Sequence, residues 1–294
     1  MKGGLVVSAL CPLLGFILLV GLLSHSRANA GSITNGVDPA LSKASASVQV
    51  DGRSNVFGAG HATPPAPGGG GAGLLPVVID LPSNAAAVKF LAVSGEVSCC
   101  GGADPNGPDG GTVRGYSTNL FSVGGISGIQ FQGRYQFLTG VFLDAGEPGG
   151  AAPNSLDFGP SGLTDSFTEL SPELRQTFFI GDGHTPSADV QTFHVPAGAT
   201  RLFLGLADGL GFIGETGYYD DNTGFFAVDF EIVPGLPPNH DPDCNAAAAD
   251  LPELWPPNHR FVPVTILGVT DPDGDPVDDL GDGGQAGRAD QRWR

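Results

Sequence analysis

Residues 200–233 read TRLFLGLADGLGFIGETGYYDDNTGFFAVDFEIV, and their periodicity decides the fold class. Leu202, Leu204 and Leu206 recur at every second position. So do Phe226, Val228, Phe230 and Ile232, with Asp229 and Glu231 on the opposite face. Successive side chains leave a pleated strand on opposite sides, so this is the pattern of strands half-buried in an antiparallel sandwich. Between the two strands stand Asp208, Tyr218, Tyr219, Asp220, Asp221 and Asn222. That oxygen-rich set suits a hard cation such as calcium, which takes six to eight oxygens in flexible geometry. Carboxylates crowded together without a nearby lysine repel one another unless a cation sits among them. The competing reading is an Asx-rich loop that merely caps its own backbone.

Outward from this stretch, further strands are expected at 45–50, 54–57, 75–81, 88–94, 128–132, 136–143, 177–180 and 190–195. PPAPGGGGAG at 64–73 reads as a flexible linker or long loop. CGGADPNGPDGG at 100–111 reads as irregular loop, as does 145–166. Ser171-Pro172-Glu173-Leu174 offers an N-cap serine followed by proline at the first helical position, which predicts a single helical turn. The chain carries 47 Gly, 25 Pro and 18 Phe, a mixture that favours short strands and many turns over helices. The expected architecture is all-β: a jelly-roll-like antiparallel β-sandwich, galactose-binding-like, over 45–233 after a leader at 31–44.

The first thirty residues read as a secretory signal peptide. Lys2 supplies the positive start, residues 5–23 are nearly all apolar, and Ala28-Asn29-Ala30 is a small-x-small cleavage site. The alternative is an uncleaved membrane anchor, against which Pro12 and the cleavage site argue. No later stretch approaches the roughly 20 apolar residues of a spanning helix, so no membrane insertion is expected after cleavage. Removing Lys2 and Arg27 leaves 11 basic side chains against 31 acidic ones. Phosphate backbones need basic contacts, so nucleic acid is excluded as a partner; a cation-binding, secreted protein fits this balance.

Other chemistries find no support in the residues. Cys99, Cys100 and Cys244 follow the signal, an odd number, so one thiol has no partner of its own within the chain. Adjacent Cys99 and Cys100 either form a strained vicinal disulfide or one of them pairs elsewhere, and no neighbouring histidine makes them catalytic. His184 and His194 are isolated, without the spacing of a zinc site, and His259 reads as a packing or hydrogen-bonding residue. There is no nucleophile elbow, Walker lysine or dinucleotide-binding glycine triplet. Paired carboxylates could serve a glycoside hydrolase, but nothing marks a proton-donating acid.

From about Phe57 to Val233 the chain resembles exported bacterial domains of the kind found in exosortase-sorted (PEP-CTERM-type) proteins. The strings that carry the likeness are GAGHATPPAPGGGGAGLLP, GPDGG, TGVFL, FFIGDG, FHVPAGATRLFLGLADG and YYDDNTG. These are in turn distantly similar to the small calcium-dependent galactophilic lectins of bacteria. The resemblance implies Asp208 as a carboxylate ligand, Tyr218 as a main-chain ligand, and Asp221 and Asn222 as side-chain ligands. It places a further main-chain oxygen near Cys100, ahead of Gly107-Pro108-Asp109-Gly110. Asp221 stands where those lectins carry asparagine, the loop after Asp208 is longer, and their galactose-gripping residues have no match in GTVRGYSTNLFS.

After Val233 the composition changes. Residues 234–238, PGLPP, read as a hinge. LWPPNHRFVPVTILGVTDPDGDPV resembles the opening of an immunoglobulin-like module of bacterial surface proteins, so 239–277 is expected to be an incomplete module of that kind. Asp271, Asp273 and Asp275 mimic half a calcium loop, but Pro276 at the sixth position favours a turn. Residues 278–294 have the composition of a disordered tail. The functional expectation is a secreted, non-catalytic protein that binds a glycan or extracellular polysaccharide through a calcium-organised loop. The alternative is a structural or adhesive envelope module without a small ligand.

Overall fold

A computed structural model describes residues 44–235 and, beyond them, 240–241, 243–246, 248–249, 266–270 and 272. The expected signal peptide, the leader up to residue 43, hinge residues 236–238, most of the immunoglobulin-like module and the tail at 278–294 lie outside the described residues. Among the described residues the fold is all-β. The helical pieces there are two three-residue 3-10 turns, Val56–Gly58 and Leu210–Phe212. No helix among them is long and apolar enough to cross a membrane.

The largest sheet runs in the order β1 (Ala44–Asp51), β14 (Thr223–Pro234), β3 (Ala85–Cys99), β11 (Thr192–His194) and β9 (Glu169–Leu170), with β4 (Ala103–Asn106) added on β3. The last long strand thus inserts between the first and the third, antiparallel to both. A second sheet has the order β10 (Thr177–Phe179), β7 (Leu138–Leu143), β12 (Arg201–Leu206), β2 (Val77–Asp80). A third contains β13 (Ile213–Gly214), β5 (Thr118–Leu120), β6 (Ile129–Phe131) and β8 (Leu156–Asp157). Two-residue strands β15 (Ala248–Ala249) and β16 (Ile266–Leu267) pair separately.

Side-chain alternation explains the layering. Phe226, Val228, Phe230 and Ile232 of β14 are buried while Asp229 is exposed, so one face of the large sheet meets the core and the other meets water. On β10, Phe178 and Phe179 point to opposite faces, as neighbours on a strand must. The Phe178 ring lies 5.3 Å from Phe193 of the large sheet, and Phe179 lies 5.2 Å from Phe131 of the third. The second sheet is therefore covered on both sides at β10. β7, its neighbour in that sheet, is buried along its whole length, Thr139 included. Each fully buried phenylalanine contributes about 1.5–3 kcal/mol through removal from water.

Three local expectations are corrected. Residues 54–57 are not a strand: Ser54 and Asn55 make single bridges, and the Asn55 side chain caps the following 3-10 turn at Phe57 N (3.0 Å). Residues 171–174 form no helical turn. A tight turn closes instead from Gln176 N–H to Glu173 O (3.2 Å), with Arg175 at φ +67°, outside the right-handed helical region. Within the expected loop 100–111, residues 103–106 add β4 to β3, because pairing needs only backbone groups and the turn at 100–102 reverses the chain.

The decisive feature for function is where β12 and β14 go. They share a sequence pattern but lie in different sheets, so residues 207–222 arch from one layer to the other across one end of the sandwich. β3 ends at Cys99 beside the start of β14, with Ser98 opposite Thr223. The turn after Cys99 and the arch consequently meet.

Candidate functional site

The arch is built on a buried phenol. Tyr219 has no solvent exposure; its hydroxyl donates to Leu206 O (3.1 Å) at the end of β12 and accepts from Asp208 N–H (3.0 Å). Thr216, also fully buried, donates its hydroxyl to Asp208 O (2.9 Å). Burial drives the Tyr219 phenol well above the ordinary tyrosine range, so it stays a neutral donor. These bonds hold both ends of the loop against the last residues of strand β12.

Asp208 is 2% exposed. Its Oδ1 accepts from Gly209 N–H (2.7 Å) and its Oδ2 from Asn222 Nδ2 (2.8 Å). Asn222 is one link in a buried chain of amides. Its Nδ2 also donates to Gly52 O (3.0 Å), its Oδ1 accepts from Gln136 Nε2 (3.0 Å), and Gln136 Oε1 accepts from Asn106 Nδ2 (2.9 Å). Asn106, Gln136 and Asn222 are each no more than 4% exposed. Desolvation pushes the Asp208 carboxyl up to about 7; the two hydrogen bonds oppose this and the charge of Asp221 adds to it. No lysine or arginine is among the groups that set its ionisation.

Beside Asp208 opens a cavity of about 160 Å³. Cys100, Asp208, Tyr218 and Asp221 line it, together with Cys99, Tyr116 and Phe212. Four of the five residues singled out from sequence thus share one wall, and the fifth, Asn222, lies bonded to Asp208. Asn222 turns its NH₂ to Asp208 and commits its oxygen to Gln136, so in this orientation it positions the carboxylate. The turn and the arch are tied by Gly101 N–H donating to Asp221 O (2.9 Å).

The backbone here is strained. Among the described residues eight non-glycine positions have left-handed φ; Cys100 (57°), Phe212 (64°) and Tyr218 (64°) line this cavity, and Gln136 (54°) belongs to the amide chain beneath it. Such conformations cost about 1–3 kcal/mol each and gather at binding and catalytic sites.

The glycine-rich stretch 64–73 is a seated loop that braces the arch from outside. Gly68 N–H donates to Thr216 O (2.9 Å), Tyr218 N–H to Gly69 O (2.8 Å), and Gly73 N–H to Asp220 Oδ1 (3.0 Å). A Cβ at Gly71, where φ is +97°, would lie 2.1 Å from Asp220 Cγ, so close approach of the two loops demands glycine.

The donors fit a hard cation. Asp208 and Asp221 line one cavity with no guanidinium or ammonium among the groups acting on Asp208, and Tyr218 and Cys100 line the same cavity. Among the described residues no three His, Cys, Asp or Glu side chains are grouped to hold a metal. A calcium ion would therefore need main-chain oxygens as well as the carboxylates.

A larger cleft of about 350 Å³ has no counterpart in the sequence reading. Asp109, Arg134, Asp165, Asp182 and His184 line it. Asp109 sits on the GPDG turn and accepts from Asp182 N–H (2.9 Å); burial raises its carboxyl above the usual range. Sequence reasoning also missed Tyr116, Phe212 and the amides Asn106 and Gln136. Tyr116 carried a weak signal as an aromatic in a polar turn-rich segment; the separated amides carried none.

No protein-family model matches the chain, and comparison with curated proteins and with solved structures returns no match.

Proposed function

We propose that the chain is an exported, non-catalytic binding protein, and that the cavity beside Asp208 takes a carbohydrate through a calcium ion. The observation that carries this reading is Asp208: a carboxylate 2% exposed, with a second carboxylate on the same cavity and no cationic side chain to balance it. Burial of an unbalanced charge costs several kcal/mol and is kept where a ligand repays it.

Asp208 and Asp221 supply charge, while Tyr218 and Cys100 supply main-chain oxygens. Calcium, when bound, offers coordination positions to sugar hydroxyls. Tyr116 and Phe212 line the same cavity, and aromatic faces suit the C–H side of a pyranose ring. Asn222, held by Gln136 and Gly52, keeps the Asp208 carboxylate oriented.

A glycan array probed with the secreted chain, with calcium and with chelator, tests the reading. Calcium-dependent retention on a subset of glycans is expected, with loss in Asp221→Ala. Absence of retention in both conditions counts against it and favours the structural or adhesive alternative.

A second reading rests on the other cleft. Asp109, its carboxyl raised by burial, lines that cleft together with Asp182, and two carboxyl groups facing one cleft are the equipment of glycoside hydrolysis. Turnover of aryl glycosides that disappears in Asp109→Asn would establish it in place of the binding reading.

A further inference from the structure

Cys99 and Cys100 are adjacent in sequence but differ in environment. Cys99 is 3% exposed and packs with Tyr135 and Phe212, whereas Cys100 is exposed at the top of the turn. A left-handed backbone at Cys100 (φ 57°) swings its side chain back, and the two sulfurs lie 3.0 Å apart. Both residues line the cavity beside Asp208, and the next residue, Gly101, grips Asp221 through its N–H (2.9 Å). Beyond Gly101 itself and its chain neighbours Cys100 and Gly102, no heavy atom lies within 4 Å of where a Cβ on Gly101 would sit, so the turn is open on that side.

We propose that Cys99 and Cys100 are a redox modification site: a vicinal dithiol that closes reversibly to a disulfide and thereby resets the wall of the binding cavity. The oxidant is a low-molecular-weight disulfide, RSSR. The exposed Cys100 sulfur, as thiolate, attacks RSSR; a Cys100–S–S–R bond forms, the RS–SR bond breaks, and the departing thiolate takes up the proton that Cys100 gave to water. Cys99 then loses its proton and attacks the Cys100 sulfur from 3.0 Å away. The Cys99–Cys100 bond forms and a second RSH leaves. Two thiols lose two electrons and two protons, and one RSSR becomes two RSH.

Reversal is built in. Adjacent Cα atoms are held at about 3.8 Å, short of the roughly 4.4–6.8 Å that disulfides normally span, and strained, exposed disulfides are the readily reduced ones. Closure draws the sulfurs from 3.0 Å to about 2.0 Å. The motion falls on the turn that holds Asp221 and carries the Cys100 carbonyl. The thiol chemistry stands on the sulfur geometry alone; its effect on ligand affinity rests on the binding reading above.

The test treats the reduced full-length secreted chain with oxidised glutathione, then alkylates and maps peptides by mass. The peptide carrying both cysteines should emerge two hydrogens lighter and unalkylated, while Cys100→Ser leaves Cys99 alkylated. Alkylation of both cysteines, a stable glutathione adduct on Cys100 in the native sequence, or a disulfide joining either residue to another cysteine would overturn the site. Calcium titration of the two redox states should then differ in affinity by about tenfold, or 1.4 kcal/mol. Equal affinities would remove the regulatory half. Formation of the disulfide with no calcium binding in either state would leave the redox site standing and sink the binding reading.

Discussion

Replacing Asp208 by asparagine tests the unbalanced carboxylate through the pH dependence of stability. Burial raises this carboxyl from 3.8 to about 7. A folded-state pKa above the unfolded one means the native state holds the proton more tightly. The group's contribution is therefore fully present below about pH 4 and is lost as pH rises through 7. One pKa unit corresponds to about 1.4 kcal/mol, so the rise of roughly three units amounts to about 4 kcal/mol. At about 2–4 °C per kcal/mol for a domain of this size, that is about 8–16 °C in Tm. The substitution itself introduces an opposing cost. One side of the new amide would face Gly209 N–H or the Asn222 NH₂, donor against donor, at about 1–3 kcal/mol. That cost does not vary with pH, so the slope decides the matter and the offset does not. Urea unfolding followed by far-ultraviolet circular dichroism, in metal-free buffer from pH 4 to 8, should show the native chain losing about 4 kcal/mol relative to Asp208→Asn. Other titrating groups cancel in the difference. A difference that stays flat, or moves in favour of the native chain as pH rises, refutes the reasoning.

Gln136→Leu should cost about 2–5 kcal/mol, because it orphans Asn222 Oδ1 and Asn106 Nδ2 together. Adding Asn106→Ala should recover part of that loss, and strict additivity in urea midpoints would argue against a connected chain. Gly71→Ala should lower Tm by several degrees and expose residues 64–73 to proteolysis, since its Cβ would meet Asp220 Cγ at 2.1 Å; unchanged resistance would show the loop is not seated. Phe193→Ala should cost about 3–5 kcal/mol by opening the junction with Phe178 and Phe90. A loss below about 1 kcal/mol would mean the two sheets do not depend on that contact.

Strand identity and facing were legible in the sequence because period two survives wherever one face meets water. The alternation from Phe226 to Ile232 sits as expected, whereas β12, read as half-buried, is buried on both faces from Leu202 to Leu206. Periodicity says which side of a strand is buried but not which sheet the strand joins, so the crossing of the arch from β12 to β14 was invisible. The covering of β10 on both faces depends on partners scattered along the chain, Phe131 and Phe193 among them, which no local pattern links. Composition misled at 64–73: glycines there answer close approach to Tyr218 and Asp220, whereas composition alone suggests freedom. The oxygen cluster of the arch was readable because its members are near neighbours in sequence. Asn106 and Gln136 reach it from distant loops, and isolated amides leave no signature until the fold brings them together.

Calcium titration by isothermal calorimetry, on metal-stripped native chain and on Asp221→Ala, tests the central proposal most directly. The proposal predicts saturable binding to the native chain and affinity at least about tenfold weaker when Asp221 loses its charge. Absence of binding to the native chain, or equal binding by both, would contradict a calcium site at Asp208 and Asp221.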